Sequence, residues 1–289
     1  MKWIGALVLL AAPRMVWAGA CCVGSTSPLP TRLGECEQAT AGVAVSVEHT
    51  LGFWDSYGAA TRADGYKSDA VEGVVGLGYR PNRKWQILAS LPARTTVMEA
   101  GTSREQGAGV GDATATVLWD PIEDKPPDAG FFAATPQLGL GVRVPTGRDW
   151  TASENPMLAD VTGLEHGAVL ASVWLERSTV AWPWSVGLQG AVSPTAPGWA
   201  PMGTVRASVG RYLSSKWTAS AIGAVVVSQA EGATADQRTR QTTVGGQVVR
   251  GQPLRWRAWI GGSGQPGIGG LGRASPRLAT VTTGVVKVW

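Results

Sequence analysis

Two histidines, His49 and His166, and three cysteines, Cys21, Cys22 and Cys36, are the side chains through which nucleophilic or metal chemistry would most readily run in this 289-residue chain. A hydrolase needs a nucleophile beside a histidine that a third group orients. His49 takes the outward parity of an alternating segment near that segment's end, and His166 follows Glu165 in a loop. Neither sits in a nucleophile motif, so no catalytic residue is assigned and the chain reads as a non-enzyme. Zinc would want four ligands, and no histidine lies near the cysteines, so neither a metal nor a cofactor is expected. Glycine runs such as Gly261-Gly262-Ser263-Gly264 do not follow a strand and open a helix as phosphate loops do, and read as loops.

The remaining chemical signal is charge in alternating segments. Glu48, Glu72, Arg94, Asp112, Arg143, Arg206, Arg255 and Arg257 all fall on the face opposite the β-branched and aromatic residues. Charge on a lipid face near the bilayer midplane costs about 2–4 kcal/mol for Arg or Lys, so these residues are expected to line a lumen. There they either pair across a narrow interior and hold its shape, or line a path and set its selectivity. A one-residue slip in register would reverse each assignment.

The elements that position them are strands. From Ala41 onward the chain breaks into segments of about ten residues with period-2 alternation. They lie near Gly42 to Trp54, Asp69 to Arg80, Trp85 to Val97, Gly109 to Asp120, Phe131 to Val144 and Ala168 to Glu176. Six more lie near Trp182 to Val192, Thr204 to Leu213, Trp217 to Val227, Gln241 to Val249, Leu254 to Gly261 and Ala279 to Trp289. Connections after even-numbered strands are mostly tight, as at Pro81 to Lys84. Those after odd-numbered strands are longer and polar, as at Met98 to Ala108 and Pro145 to Glu165. This alternation predicts an all-β, antiparallel transmembrane β-barrel of about twelve strands of the outer-membrane type. Trp85, Trp119, Trp184, Trp217, Trp256 and Trp289 fall near short turns or the C-terminus and predict an aromatic girdle at one interface. On the terminal strand, Lys287 shares the parity of Val285 and Trp289 and is expected to face outward at the rim.

Composition agrees. Only 16% of residues are charged, against about 25% in soluble domains, and Gly and Trp number 39 and 14. The net charge is +4, two units of which come from Lys2 and Arg14, and the other basic residues form no cluster, so nucleic acid is not an expected partner. Residues 1–20 read as a signal peptide with a short positive start, an apolar run and small residues near Ala18 and Ala20. Residues 21–40 read as a periplasmic segment in which Cys36 pairs with Cys21 or Cys22. Alternatively, Ala18-Gly19-Ala20-Cys21 resembles a lipobox that would make Cys21 a lipidated N-terminus paired to nothing, leaving Cys22 for Cys36. Residues 41–289 form the barrel.

Gly109-Val110-Gly111-Asp112, followed by Leu138-Gly139-Leu140-Gly141-Val142-Arg143-Val144-Pro145-Thr146-Gly147, resembles a family of predicted outer-membrane transporters named for the meta-pathway of phenol degradation. In that family a G-x-G-D strand precedes a hairpin ending in basic-x-P-T-G. The resemblance implies an outer-membrane location and passage of small, aromatic or hydrophobic molecules. The expected partners are outer-membrane lipid, the barrel-assembly machinery and an unidentified small solute. An outer-membrane hydrolase and a structural or surface-binding barrel with a closed lumen are the alternative readings.

Overall fold

A computed structural model describes residues 33, 37–54, 59–62, 65–121, 134–149, 152–155, 158–163, 166–177, 182–196, 201–214, 216–229, 238–251, 256–266 and 275–289. The signal-peptide segment, the three cysteines and Arg255 lie outside the described residues. Fourteen strands follow in order: β1 (Ala39–Trp54), β2 (Ala60–Thr61), β3 (Tyr66–Asn82), β4 (Trp85–Ala100), β5 (Ser103–Val110), β6 (Ala113–Trp119), β7 (Thr135–Val144), β8 (Ala168–Arg177), β9 (Trp184–Val192), β10 (Met202–Tyr212), β11 (Trp217–Gln229), β12 (Arg238–Gly251), β13 (Trp256–Gly264) and β14 (Ser275–Val288). Each pairs antiparallel with its neighbour, and β14 returns to β1 from Thr40↔Val288 to Trp54↔Ser275, which closes the sheet. β5 and β6 share one partner, β4, and β2 and β3 likewise share β1, so the fourteen strands make twelve staves. The expected barrel is the one observed.

Register puts the apolar residues outside. Val43, Val45, Val47, Val71, Val75, Leu77, Ile87, Leu140, Leu188 and Ile260 are all exposed, whereas their even-parity neighbours Ala44, Ser46 and Val74 are buried inside. The pairing of β14 with β1 closes the path of strands that carries the apolar exterior, which is what permits that exterior in a bilayer. At the short-turn end, Asn82 Oδ1 accepts the backbone N–H groups of Lys84 and Trp85 at 2.9 and 3.1 Å and fixes the first turn. Trp85, Trp119, Trp217, Trp256 and Trp289 are exposed around that end, Trp184 shares their outward parity, and Trp85 stacks with Trp119 at 6.1 Å. Lys287 points outward as its parity predicts, its Nζ 5.0 Å from the Trp256 ring and 6.0 Å from that of Trp289.

The largest departure from sequence expectation is at Met98 to Ala108, which reads as a loop but forms the tip of the β4–β5 hairpin. β4 continues to Ala100 and turns through Gly101, at φ 60°, into β5. β4 has 16 residues, more than the roughly 9–11 a bilayer requires. Its polar tip therefore stands beyond the apolar band, where both faces are wet and alternation disappears. The stave expected to run unbroken from Gly109 to Asp120 is also interrupted. Ser90 pairs with Thr114 but Ala93 with Val110, a one-residue shift that bulges the chain at Gly111 and Asp112. The bulge sits opposite Pro92, a residue with no N–H to give the ladder. Inward parity changes there, from Gly107 and Gly109 in β5 to Asp112, Thr114 and Thr116 beyond it.

The interior holds no continuous hydrophobic core. Small apolar clusters (Ala44, Val74, Val249, Trp259, Val286 and Val288; Leu33, Leu88 and Leu118; Ala168, Leu170 and Ala191) alternate with polar contacts. Trp174 and Trp259 point inward, each lying over a glycine of the next strand. A Cβ at Gly187 would strike the Trp174 ring, and one at Gly284 the Trp259 ring.

Candidate lumen site

Among the described residues, the inward ion pairs and their hydrogen-bond partners fall into three tiers, and Arg206 stands outside them. At the short-turn end, the chain leading into β1 is seated inside the mouth. Leu33, 2% exposed, donates its backbone N–H to Gln86 Oε1 at 3.0 Å, and Arg80 Nη2 donates to the Leu33 carbonyl at 2.8 Å. Gln86, fully buried, donates through Nε2 to Asp120 Oδ2 at 3.3 Å. Glu37 pairs with Arg257 Nη2 at 2.9 Å, both buried. Both groups are desolvated, so each is tolerable only because the other is present.

Midway along, Arg94 bridges two carboxylates on adjacent staves, Glu48 at 2.7 Å and Glu72 at 3.6 Å. The pairing follows from register, since Glu72 lies directly opposite Arg94. These three residues tie one wall, β1–β3–β4, and do not span the lumen.

The third tier is built where the loop after β7 folds back into the barrel. Gly107 and Gly109 face inward, and a Cβ at Gly107 would collide with the backbone of Asp160, one at Gly109 with the Thr162 side chain. Without side chains there, the loop lies against β5 directly. Thr162 Oγ1 donates to the Val110 carbonyl at 2.7 Å and accepts from the Arg148 backbone N–H at 3.1 Å. Thr146 Oγ1 donates to the Gly111 carbonyl at 2.7 Å and accepts from the Ala113 N–H at 2.9 Å. Asp112 Oδ1 accepts from the Gly147 N–H at 3.2 Å, and Arg143 Nε stands 3.9 Å from Asp112 Oδ2. The G-x-G-D and R-x-P-T-G residues thus meet at one joint, which docks the loop on the bulge. Within the loop, Asp160 pairs with Arg148 at 2.7 Å and accepts from the Ser153 hydroxyl and the Glu154 N–H. The Ser153 hydroxyl, then the Arg148 guanidinium, hold the Asp160 carboxyl far below the usual carboxylate range.

Arg206, on β10, joins none of these tiers. Of the residues expected to line the lumen, Glu48, Glu72 and Arg94 come together, Asp112 and Arg143 come together, Arg257 finds Glu37, and Arg206 stands apart. Parity could not find Glu37, Arg148 or Asp160, because they lie outside the alternating segments. Gln86 and Arg80 carried inward parity but no sign that a backbone segment would reach them.

A hollow of about 810 Å³ lies on the outer wall of β6–β11, lined by Trp85, Trp119, Leu138, Leu140, Leu188 and Val205. These are lipid-facing side chains, so the hollow is a concavity of the wall and no part of the lumen.

No family model and no curated protein matches this sequence, so its likeness to the meta-pathway family rests on the joint residues alone. Solved structures do match in fold. The COG4313 outer membrane channel from Pseudomonas putida F1 superposes with a TM-score of 0.66 at 13% identity, over 89% of this chain and 99% of that one. The translocator domain of the autotransporter NalP from Neisseria meningitidis gives 0.50 at 10% identity, over 87% and 88%.

Proposed function

We propose that this chain is a passive outer-membrane channel that admits small solutes, aromatic and hydrophobic ones among them. A closed twelve-stave barrel with Glu48, Glu72, Arg94, Asp112, Arg143, Arg206 and Arg257 turned inward carries the reading. An interior of ion pairs and hydroxyls offers a solute a wet path, and the outward apolar band holds the barrel in lipid. Support comes from its likeness in fold, over nearly the whole length, to the COG4313 outer membrane channel. In this reading the short turns face the periplasm and the loop after β7 narrows the outer entrance. Purified protein in planar bilayers is expected to give discrete conductance steps, and liposomes carrying it to swell in small solutes. Absence of both for every solute tried would remove the reading.

A second reading, a barrel whose lumen stays shut, is favoured by Leu33 and Glu37, which precede β1 and are seated in the mouth, and by the stretch from Leu33 to Gln38 that carries them. It predicts no swelling in the intact protein and swelling once that stretch is removed. An enzymatic reading has less to stand on. His49 pairs with Asp69 at 2.5 Å on the outer face, which orients an imidazole. Its outward cross-strand neighbours are Ala279 and Asp69, with Lys67, Val71, Arg277 and Val281 diagonal to it, and none carries the hydroxyl or thiol that a hydrolase nucleophile needs.

A further inference from the structure

Among the described residues, Arg206 is the exception to the pairing of inward arginines. Arg80 donates to a carbonyl, Arg94 and Arg257 pair with glutamates, and Arg143 faces Asp112. Arg206 makes no hydrogen bond or ion pair among the described residues, and its Nε is closed off from solvent without an acceptor. Its surroundings explain why nothing answers it. Directly opposite on β9 is Gly187 and on β11 Ala224. Ile222 and Val226 flank Ala224 on the same face, and the Trp174 ring covers Gly187. Along β10 and β9 the nearest inward groups are Thr204, Ser208, Ser185 and Gln189, all uncharged, and Ser185 and Ser208 are bonded to each other at 2.8 Å.

Arg206 is half-buried with its Nε closed off, and a lumen-facing cation that no protein group answers is left to be met by an anion from solution. We infer that Arg206 is the anchor of a lumen subsite for a small monocarboxylate with a compact apolar body. The guanidinium fork matches a carboxylate through two parallel hydrogen bonds. Ala224 leaves floor space on one side, and Ile222, Val226 and the Trp174 ring over Gly187 present hydrocarbon and an aromatic ring to the rest of the molecule. A phosphate dianion fits less well, because one arginine and weak hydroxyl donors would leave its second charge unmet. The inference rests on the channel reading for its physiological sense, but the site itself can be assayed without conduction.

The test is binding of 4-fluorobenzoate to the full-length, detergent-solubilised barrel, followed by 19F NMR. Folding of each variant is checked by its heat-modifiable gel mobility. Saturable binding is expected in the parent protein and in Arg104→Gln, an arginine paired with Glu99 at the outer rim. It should weaken by about tenfold or more in Arg206→Gln. Arg206→Lys, which keeps the charge and loses the fork, should fall between them. Benzoate should compete and uncharged fluorobenzene should not. Equal affinity in Arg206→Gln, effective competition by fluorobenzene, or no saturable binding to the folded parent would each overturn the inference. Binding that persists in a protein showing no conductance would count against the channel reading alone, and conductance without binding against the subsite alone.

Discussion

Gln86 Oε1 accepts the backbone N–H of Leu33 at 3.0 Å, joining a fully buried amide on β4 to a residue 53 positions earlier that precedes the first strand. The same side chain donates to Asp120, so one residue ties the incoming chain to two staves. Gln86→Leu would leave the Leu33 N–H and the Asp120 carboxylate short of a partner. Losing a buried partner of this kind costs about 1–3 kcal/mol. The expected result is faster proteolytic cleavage near residues 33–38 with the barrel itself intact, read by gel mobility before and after heating.

Arg257 and Arg206 should respond oppositely to the same change. Arg257→Met strands the buried Glu37 carboxylate and is expected to destabilise by about 3 kcal/mol or more. Arg206→Met removes a charge that no described residue balances, and should leave stability unchanged or raise it. Unfolding of both variants in denaturant, in the same detergent and without added carboxylate, checks the contrast.

Gly107 is where the loop after β7 lies closest to the β5 backbone. Gly107→Leu places a side chain where the Asp160 backbone now sits, so the loop must leave the lumen. Larger single-channel conductance than in the parent is expected, with heat-modifiable mobility retained. An unchanged conductance would mean that the loop does not set the narrowest point.

Loop docking should depend on pH through Asp160, whose carboxyl is held down by Ser153 and Arg148. A carboxyl with a depressed pKa contributes fully above its undocked value, about 3.9, and loses that contribution as pH falls through the docked value. Conductance should therefore match at pH 7 and pH 5 and rise only in strongly acid buffer. Asp160→Asn should show the larger conductance throughout the range. Single-channel recordings at stepped pH measure both.

By itself the sequence determined which way each stave faces. Side chains alternate strictly along a strand, so Val43, Val45 and Val47 against Ser46 and Glu48 settled inside from outside without knowledge of partners. It also placed outward tryptophans beside the short turns, and it marked Gly111-Asp112 and Pro145-Thr146-Gly147 without showing what they do. Only the tertiary structure decided which inward groups meet. Register across neighbouring staves brings Arg94 to Glu72, and closure of β14 on β1 brings the Glu37 segment to Arg257. The β4–β5 tip escaped the sequence because strand beyond the bilayer has two wet faces and no alternation. The in-folded loop escaped it because hydrogen bonds such as Thr162 to Val110 join residues 52 apart, and no local pattern encodes that distance. Parity could say that Arg206 points inward, but that no described residue answers it emerges only when every neighbouring stave is in place.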